Sequence, residues 1–404
     1  MTGPFLAKKV AENVYWVGAI DWQLPDFHGY RTERGTTYNA FLVVGEKVTL
    51  IDTVKKPYFE EMLSRIASVV DPAKIDYIIS NHAEPDHTGA LEDILKIAKN
   101  AKVFASQVGA QALKELYQGK VLAEPVKNGE RLDLGGFHLT CLETRMIHWP
   151  DSMFSYLEER EILFSQDAFG MHLATALLFA DENAPDILRH ESDKYYANIV
   201  LPYSKMVGMT LKKFYDLKLP LSLIAPDHGP LWRGKDIEKI LSWYDAYVKQ
   251  PYTKKVVIVY DTMWGSSGKL ASAFAEGVAK GGCVPKVISL KGAFRSDVMK
   301  ELIDAGALAV GSCTINNGLF PTLADILTYI RGLHPINLLG AIFGSYGWNL
   351  LCFEEIKSYL EKTGIPIVTT DVRAKFTPDE EKLSEACAQG EALAAALLQK
   401  IAEQ

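Results

Sequence analysis

Residues 75–87 read IDYIISNHAEPDH, and this stretch decides how the first half of the chain is interpreted. The apolar run at 75–80 is typical of a buried strand. Four residues that can bind metal ions follow it within six positions: His82, Glu84, Asp86 and His87. In an extended loop the side chains at 82, 84 and 86 point to one side. Such a density of metal-binding side chains after a strand predicts a metal site.

One short loop cannot enclose a metal ion, so further ligands must come from distant parts of the sequence. Three candidates follow strand-like runs: His148 after HLTCLETRMI, Asp167 after EILFSQ, and His228 after LSLIAP. Taken singly, either histidine could be a hydrogen-bonded core residue, and Asp167 could cap a helix. Their shared position at strand ends favours a metal-binding role for all three.

The second half of the chain alternates strands with helices. Five strand-like runs, KVVIVY, PKVISL, ALAVGS, LGAIFGS and IPIVTT, are separated by helical patterns. This alternation predicts a doubly wound parallel sheet, whose ligands bind at the carboxyl ends of the strands. The first half begins with short strands such as NVYWVGAI, and its pattern predicts mixed sheets with helices outside, a layered α/β sandwich. Because Pro251 ends the helical stretch ILSWYDAYVKQ, we expect domains at residues 1–250 and 255–404.

Three loops of the second half follow strands of this predicted sheet. DTMWGSSGKL carries hydroxyls and glycines that suit a phosphate at the start of a helix. GSCTINNGLFP and GSYGWNLL end two other strands, and the second offers aromatic side chains that can stack on a planar ring. Ordinary turns with core tryptophans are the alternative. Together the loops resemble the phosphate loop and the two ring-flanking loops of flavodoxins, which implies FMN. The candidate flavin-binding residues are Thr262, Met263, Trp264, Gly265, Ser266, Ser267, Thr314, Ile315, Asn316, Asn317, Gly318, Ser345, Tyr346, Gly347 and Trp348.

The metal loop itself resembles that of the metallo-β-lactamase fold, H-x-H-x-D-H with three later ligands, except that Glu84 replaces the middle histidine. Four imidazoles and three carboxylates make a harder, more anionic ligand set than a typical dizinc site, which favours iron. This variant joined to a flavodoxin-like domain is similar to the flavodiiron proteins, through stretches such as GTTYNA, HWPDSM, YYANIV and PDHG. The resemblance implies a metallo-β-lactamase-like αββα sandwich followed by a flavodoxin-like doubly wound parallel sheet.

The same resemblance implies a role for each candidate residue. One iron would be bound by His82, Glu84 and His148, the other by Asp86, His87 and His228, with Asp167 as the bridge. His28 in DFHGY and Tyr195 in KYYANIV match positions that line the pocket and donate hydrogen bonds to its contents; Tyr196 is the alternative if the register differs by one. Supporting roles around the ligands are expected for Asp227, His172 and His190.

Flavin and metals together imply an oxidoreductase. FMN and two iron ions hold enough electrons to reduce O2 to water or to couple two NO molecules into N2O. The resemblance implies rubredoxin as the electron donor, with reduced deazaflavin as the second candidate, and a head-to-tail homodimer or dimer of dimers. Because no C-x-x-C pair ends the sequence, we expect a separate donor protein. Two alternatives are a binuclear metallohydrolase with a fused flavodoxin module, and an electron carrier with a degenerate lactamase-like platform.

Bulk properties narrow the choice of partners and compartment. A net charge of -7 and a pI near 5.8 provide no basic surface for nucleic acid or anionic lipid. The N-terminus lacks the pattern of a secretory signal, and no stretch approaches the roughly 18 apolar residues of a membrane span. Five cysteines without a C-x-x-C pair are expected to be reduced and mostly buried, which favours the cytoplasm.

Overall fold

The computed structural model describes residues 4–404, which form two compact units. The first unit ends at Asp245 and the second begins at Ala246, while two short earlier segments, His28–Arg31 and Tyr196–Pro202, group with the second unit. The limits of the two predicted domains stay a prediction.

Strands and helices up to residue 249 follow one another in a mixed order. The strands are β1 (Lys8–Ala11), β2 (Val14–Trp16), β3 (Ala19–Asp21), β4 (Asp26–Phe27), β5 (Tyr30–Arg31), β6 (Thr36–Tyr38), β7 (Phe41–Val44), β8 (Val48–Ile51), β9 (Ile75–Ser80), β10 (Lys102–Ser106), β11 (Ala123–Val126), β12 (Arg131–Asp133), β13 (His138–Glu143), β14 (Met153–Leu157), β15 (Ile162–Gln166), β16 (Leu223–Pro226) and β17 (Trp232–Arg233). The α-helices are α1 (Phe59–Ala67), α2 (Pro85–Thr88), α3 (Leu91–Ile97), α4 (Gln107–Leu116), α5 (Pro185–Tyr195), α6 (Ser204–Leu217) and α7 (Lys235–Lys249).

Two large sheets make up the centre of the first unit. One has seven strands in the order β1-β2-β7-β8-β9-β10-β11, and the other has six in the order β12 to β17. Side chains alternate across β8: Leu50 packs in the cluster that contains Met62 and Ile94 of the helices, and Ile51 packs with Phe164 of the second sheet. The unit is therefore a sandwich whose inner core lies between the sheets and whose outer core lies under helices, as predicted.

The second unit is a single five-stranded parallel sheet with helices between its strands. Its elements are β18 (Lys255–Tyr260), α8 (Ser266–Lys280), β19 (Val284–Ser289), α9 (Arg295–Leu302), β20 (Ala307–Cys313), α10 (Pro321–Leu333), β21 (Leu339–Tyr346), α11 (Leu351–Thr363), β22 (Val372–Lys375) and α12 (Glu380–Glu403). The order β19-β18-β20-β21-β22, with every neighbouring pair parallel, is the predicted doubly wound arrangement. Every residue of β20 is buried, as expected for a strand covered on both faces.

Two strand predictions are wrong in detail. The run IPIVTT at 365–370 is not the last strand: Ile367 makes an isolated bridge to Gly340, and β22 starts at Val372. The carbonyl of Pro366 accepts a hydrogen bond from the N–H of Gly340, but Pro366 has no N–H to donate, so the ladder cannot extend from Ile367 towards the start of the run. NVYWVGAI splits into β2 and β3 at Gly18, where a Cβ would lie 2.2 Å from the carbonyl oxygen of Tyr38. That approach of two backbones requires glycine.

The cysteines of the described chain are all free, and four of the five are buried. Among residues 4–404, no helix combines the length and apolarity that crossing a membrane requires.

Candidate metal centre and flavin-binding site

The seven predicted metal ligands all follow strands of the first unit. The first four come after β9 of the larger sheet, and His148 lies between β13 and β14 of the smaller sheet. Asp167 and His228 follow β15 and β16, which are parallel neighbours, so their carboxyl ends share one edge. The two sheets meet here: the N–H of Met153 donates to the carbonyl of Asn81 at 2.9 Å. The sandwich therefore gathers strand ends from both sheets at one edge.

These side chains form two clusters of potential ligands. The first contains His82, Glu84, His148 and Asp167, and the second contains Asp86, His87 and His228; within each, one ligand atom per residue lies within 4.8 Å of the others. In the first, Nε2 of His148 lies 3.3 Å from Oε2 of Glu84. In the second, Nε2 of His228 lies 3.2 Å from Oδ2 of Asp86. Ligands bound at about 2.1 Å to one tetrahedral or octahedral ion are themselves about 3.0–3.4 Å apart, which matches these separations.

Asp167 connects the two clusters through its two carboxylate oxygens. Its Oδ2 lies 3.0 Å from Nε2 of His148 and 3.4 Å from Nε2 of His82. Its Oδ1 lies 3.2 Å from Nε2 of His87 and 3.3 Å from Nε2 of His228. One oxygen thus faces each cluster, which is the geometry of a carboxylate that bridges two ions.

Buried polar atoms without partners indicate that the clusters fit cations. Both carboxylate oxygens of Asp86, Oδ1 of Asp167 and Nε2 of His87 are buried and have no hydrogen-bond partner among residues 4–404. Leaving such groups unpaired costs free energy, so a buried acceptor of this kind calls for an unseen partner. Two divalent ions would satisfy all of these atoms and offset the three negative charges of the ligand set.

The ionisation of the site supports the same interpretation. Burial favours the neutral imidazole of His82, yet hydrogen bonds with Asp151 and Glu84 raise its pKa to about 10. Burial likewise opposes charge on His87, but the carboxylates of Asp86 and Asp167 raise its pKa well above the usual value. The carboxylates thus demand positive charge, which is supplied either by protons on the imidazoles or by bound metal cations.

In two of the imidazoles, an acceptor outside the clusters binds Nδ1, the ring nitrogen that points away from the metal ligand atoms. Nδ1 of His82 lies 3.0 Å from Oδ2 of Asp151, and Nδ1 of His228 lies 2.6 Å from the carbonyl oxygen of Thr37. Nδ1 of His87 also lies near a carboxylate, 3.2 Å from Oδ2 of Asp227, but neither atom has a hydrogen-bond partner among residues 4–404. An acceptor at Nδ1 places the proton there and leaves Nε2 as the lone-pair nitrogen that faces a metal. Sequence reasoning identified Asp227 as a supporting residue but missed Asp151 and Thr37.

The loop after β9 differs from the predicted extended segment. Pro85 begins the short helix α2, and the N–H groups of His87 and Thr88 both donate to the carbonyl of Glu84 at 3.0 Å. Proline is favoured at the first helical position because its φ is already helical, and this signal was available in the sequence. The helical turn sends Asp86 and His87 to the second cluster while His82 and Glu84 serve the first.

Tyr195, rather than Tyr196, lies beside the clusters. Its fully buried ring lies 6.2 Å from the ring of His228, centroid to centroid, and 5.1 Å from that of His172. Burial and then the Asp167 carboxylate raise the pKa of its hydroxyl well above the usual value, so the oxygen keeps its proton. Tyr196 instead packs against Tyr247, with ring centroids 4.7 Å apart and the ring planes tilted by 37°.

The other predicted histidines differ in their burial and in their neighbours. His172 is fully buried, and its ring lies 4.9 Å from the ring of His228. His190 is exposed over 39% of its side chain and lies 4.0 Å from Glu191. His28 is exposed, has a φ of 55°, groups with the second unit and is not a member of either cluster. The role of His28 stays a prediction.

A cavity of about 690 Å³ lies at the carboxyl ends of the strands in the second unit. Of the predicted flavin-binding residues it is lined by Thr262, Met263, Trp264, Ser266, Thr314, Asn316, Asn317, Ser345, Tyr346, Gly347 and Trp348. Trp264 and Trp348 are 92% and 88% exposed. Two highly exposed indoles at the mouth of a cavity are unusual on a protein surface and indicate stacking surfaces for a planar ligand.

The loop after β18 is shaped for a phosphate. Gly265 has a φ of 87°, and its N–H donates to Oγ1 of Thr262 at 3.1 Å. The helix α8 then begins at Ser266, so its unpaired N–H groups and the nearby hydroxyls point towards one end of the cavity. This arrangement fits the phosphate of FMN.

The predicted flavin-binding residues and the residues that line the cavity differ at several positions. Gly265, Ser267, Ile315 and Gly318 were predicted but do not line it, and Cys313, Asn349, Phe376 and Thr377 line it but were not predicted. Phe376 follows β22, so the rule that ligands bind at strand ends would have found it had the last strand been placed correctly. Phe376 is 61% exposed and adds a third aromatic surface.

Comparisons with known proteins agree with both halves of this description. Residues 36–229 match the model of the ODP family beta lactamase, and residues 258–390 match that of flavodoxin. The chain is 42% identical to a nitric oxide reductase of Moorella thermoacetica over 342 residues, covering 84% of this chain and 86% of the relative. It is 40% identical to a rubredoxin-oxygen oxidoreductase of Megalodesulfovibrio gigas, covering 98% of this chain and 99% of the relative.

A solved structure shares the whole fold. The crystal structure of the flavodiiron protein from Giardia intestinalis superimposes with a TM-score of 0.96 at 32% identity, covering 100% of this chain and 99% of that chain. Full-length similarity in sequence and fold, paired metal-ligand clusters and a flavin-sized cavity agree. The chain therefore belongs to the flavodiiron protein family.

Proposed function

We propose that this protein reduces O2 to water, NO to N2O, or both, at a di-iron centre, with electrons that pass through FMN. The observation that carries the proposal is the division of the Asp167 carboxylate, whose two oxygens face two separate ligand clusters. A bridging carboxylate holds two ions close enough for both to face one small substrate. The names of the two relatives, an oxygen oxidoreductase and a nitric oxide reductase, support the same pair of substrates.

When bound, two iron ions held by the seven ligands supply open coordination positions and redox electrons, and FMN supplies electrons to them. The chain's own residues set the conditions for that chemistry. The acceptors at Nδ1 of His82 and His228 fix the tautomers in which Nε2 faces inward. We propose that Tyr195 acts as a hydrogen-bond donor at the edge of the second cluster, since its buried hydroxyl lies close to Asp167. Tyr195→Phe, which keeps the ring, is the matched variant for this role.

We propose that the 690 Å³ cavity holds FMN with its phosphate at the start of α8 and its ring against Trp348 and Trp264. The exposed indoles provide the stacking surface, and the strand ends provide polar groups for the ring edge. Titration of flavin-free protein with FMN, monitored by flavin fluorescence, tests the assignment. A Trp348→Ala variant that binds FMN as the parent does would contradict it.

Rubredoxin is the electron donor that we propose, with reduced deazaflavin as the second candidate, and the cytoplasm is the proposed location. The name of the Megalodesulfovibrio gigas relative, a rubredoxin-oxygen oxidoreductase, supports rubredoxin. We further propose a head-to-tail homodimer, because flavin and metals are assigned to different domains and electron transfer requires them to be close. Mixing an FMN-loaded His82→Ala subunit with a parent subunit stripped of FMN, in the absence of free FMN, tests this arrangement, since each subunit alone is inactive and each hybrid dimer retains one intact pair of sites. Recovery of activity in the mixture is expected; none would contradict the proposal.

A binuclear metallohydrolase is the competing function. It would hold two zinc ions and activate water, and the four imidazoles of the clusters are compatible with zinc. Elemental analysis of native protein separates the two functions: about two iron ions per chain are expected here, whereas about two zinc ions with negligible iron would support hydrolysis. Anaerobic reduction followed by rapid mixing with O2 or NO then compares turnover with each gas. A fully iron-loaded, FMN-loaded enzyme that reduces neither gas would refute the proposed function.

A further inference from the structure

Phe376 lies just after the last strand of the second unit, outside the three loops that the sequence predicts to bind flavin. Strand β22 ends at Lys375, which pairs with Tyr346, and the N–H of Phe376 donates to the carbonyl of Tyr346 at 2.8 Å. The side chain of Phe376 lines the cavity of about 690 Å³. A fourth segment of the chain therefore reaches the candidate flavin site.

The backbone of Phe376 lies in the left-handed region, with a φ of 60°. This conformation brings Cβ close to the following carbonyl oxygen, and bulky residues rarely adopt it. Phe169 shares it, with a φ of 67°, but Phe169 is buried and its ring packs on Tyr244 at a centroid distance of 4.5 Å. Phe376 is 61% exposed, so burial against the protein's own core offsets much less of the cost.

In this conformation the phenyl ring lies against the neighbouring flavin loop. A Cβ on Gly347 would be 3.3 Å from Cε1 of Phe376, so the ring lies directly beside the backbone of Gly347. Gly347 lines the cavity and precedes Trp348, whose indole is exposed. The phenyl ring and the indole are thus both held at the same stretch of backbone, at the mouth of the cavity.

Backbone strain that is not offset by the protein's own contacts is typical of sites where a ligand uses the strained group. A planar aromatic ligand in the cavity would cover the exposed phenyl ring and gain the free energy of apolar burial. We propose that Phe376 is held in this conformation to contact the flavin ring of FMN, and that it raises the affinity for FMN while it lowers the stability of the flavin-free fold. The inference rests on the proposed position of FMN in this cavity.

Two substitutions separate the ring from the backbone strain. Phe376→Ala removes the ring but keeps a Cβ, whereas Phe376→Gly removes both, and glycine adopts a positive φ without steric cost. Both variants are expected to bind FMN about fivefold more weakly than the parent. Without flavin, Phe376→Gly should unfold about 2 °C above Phe376→Ala and no lower than the parent, because relief of the strain exceeds the extra entropy of glycine in the unfolded chain.

Two matched controls lie elsewhere in the second unit. His334 is exposed, has a φ of 53° at the end of α10 and is not among the residues that line the cavity. His334→Gly should therefore raise the unfolding midpoint and leave FMN affinity unchanged. Phe294 is an exposed phenylalanine with an ordinary φ of -90°, and it does not line the cavity either. Phe294→Ala should leave FMN affinity unchanged.

Both quantities are measured on the full chain, loaded with iron and stripped of FMN. Titration with FMN, followed by flavin fluorescence, gives the affinity, and circular dichroism follows thermal unfolding of the same flavin-free protein. The expected result is that Phe376→Gly binds FMN more weakly and is at least as stable as the parent. A structural role for the ring alone would lower stability in both variants.

The inference would be overturned if both Phe376 variants bound FMN as the parent does. It would also be overturned if Phe376→Gly unfolded below Phe376→Ala. Trp348→Ala separates this failure from that of the proposed flavin site. If Trp348→Ala still weakens FMN binding, the cavity remains the flavin site and only the role of Phe376 is refuted. If none of the three variants weakens FMN binding, the proposed flavin site is refuted as well.

Discussion

Asp151 offers the sharpest test of how the outer residues support the metal centre. Its Oδ2 accepts a hydrogen bond from the N–H of Ala83 at 2.6 Å and lies 3.0 Å from Nδ1 of His82. Its Oδ1 has no hydrogen-bond partner in the described part of the chain. One oxygen therefore both anchors the metal loop and orients an imidazole.

Two substitutions separate the charge of Asp151 from its geometry. Asp151→Asn retains an oxygen at the position of Oδ2 but loses the negative charge, and we expect about tenfold weaker metal binding at the cluster that contains His82, about 1.4 kcal/mol. Asp151→Ala removes the acceptor altogether, and we expect metal binding at the same cluster to weaken about hundredfold, by about 2.7 kcal/mol. The larger figure lies within the range of about 1.5–3 kcal/mol for a hydrogen bond to a charged group.

Metal content and chelator competition measure this effect. Each variant is loaded with iron, titrated with a chelator and analysed for iron per chain; one of two ions is expected to leave first, because the second cluster does not contact Asp151. Asp133→Asn is the matched control, since this exposed carboxylate of the same unit accepts a hydrogen bond from the N–H of Gly135. The reasoning would be refuted if both Asp151 variants retained iron as the parent does. It would also be refuted if a folded variant lost both ions at the same time.

Three further outcomes are expected. Asp167→Ala should hold fewer than about two iron ions per chain, since both clusters lose an oxygen; a full complement by elemental analysis would contradict the bridge. Trp348→Ala should weaken FMN binding by about fivefold, about 1 kcal/mol of stacking, with iron content unchanged, as checked by fluorescence titration. Burial opposes ionisation of Glu301, yet its hydrogen bond with Lys255 lowers its pKa to about 2 from 4.5. A carboxyl with a lowered pKa stabilises the fold above about pH 4.5, and this contribution is lost as pH falls towards 2. Glu301→Gln should therefore lower the free energy of unfolding by on the order of 1 kcal/mol at neutral pH, after allowance for solvent screening, and flatten the acid limb between pH 5 and pH 2 in denaturant titrations; an unchanged acid limb would count against the pair.

Local sequence was sufficient to predict those features that depend on a single strand and on the loop at its carboxyl end. IDYIIS forms a strand with the predicted limits, 75 to 80, because an apolar run between two sheet neighbours has a single stable placement. The three flavin loops follow their strands for the same reason, since ligand sites at strand ends depend on sheet type and not on distant contacts. Where a local signal was read wrongly, as with Pro366 in IPIVTT or Pro85 in the metal loop, the prediction was wrong at that point.

Long-range packing decided the remaining features. Asp151 supports His82 from 69 positions away, and Thr37 supports His228 across 191, so no window of sequence contains either pair. The choice of Tyr195 over Tyr196 depends on which ring lies beside His228 where α5 passes into the π-helical segment Tyr196–Val200.

The sequence by itself determined the types of ligand, the iron-favouring Glu84 and the presence of a flavin half, because residue chemistry and strand periodicity are local properties. Tertiary structure alone decided how the ligands divide into two clusters and that Asp167 turns one oxygen to each. The reason is physical: two sheets must pack face to face before strand ends from both can meet at one edge, and only that packing fixes distances between atoms that the chain keeps far apart.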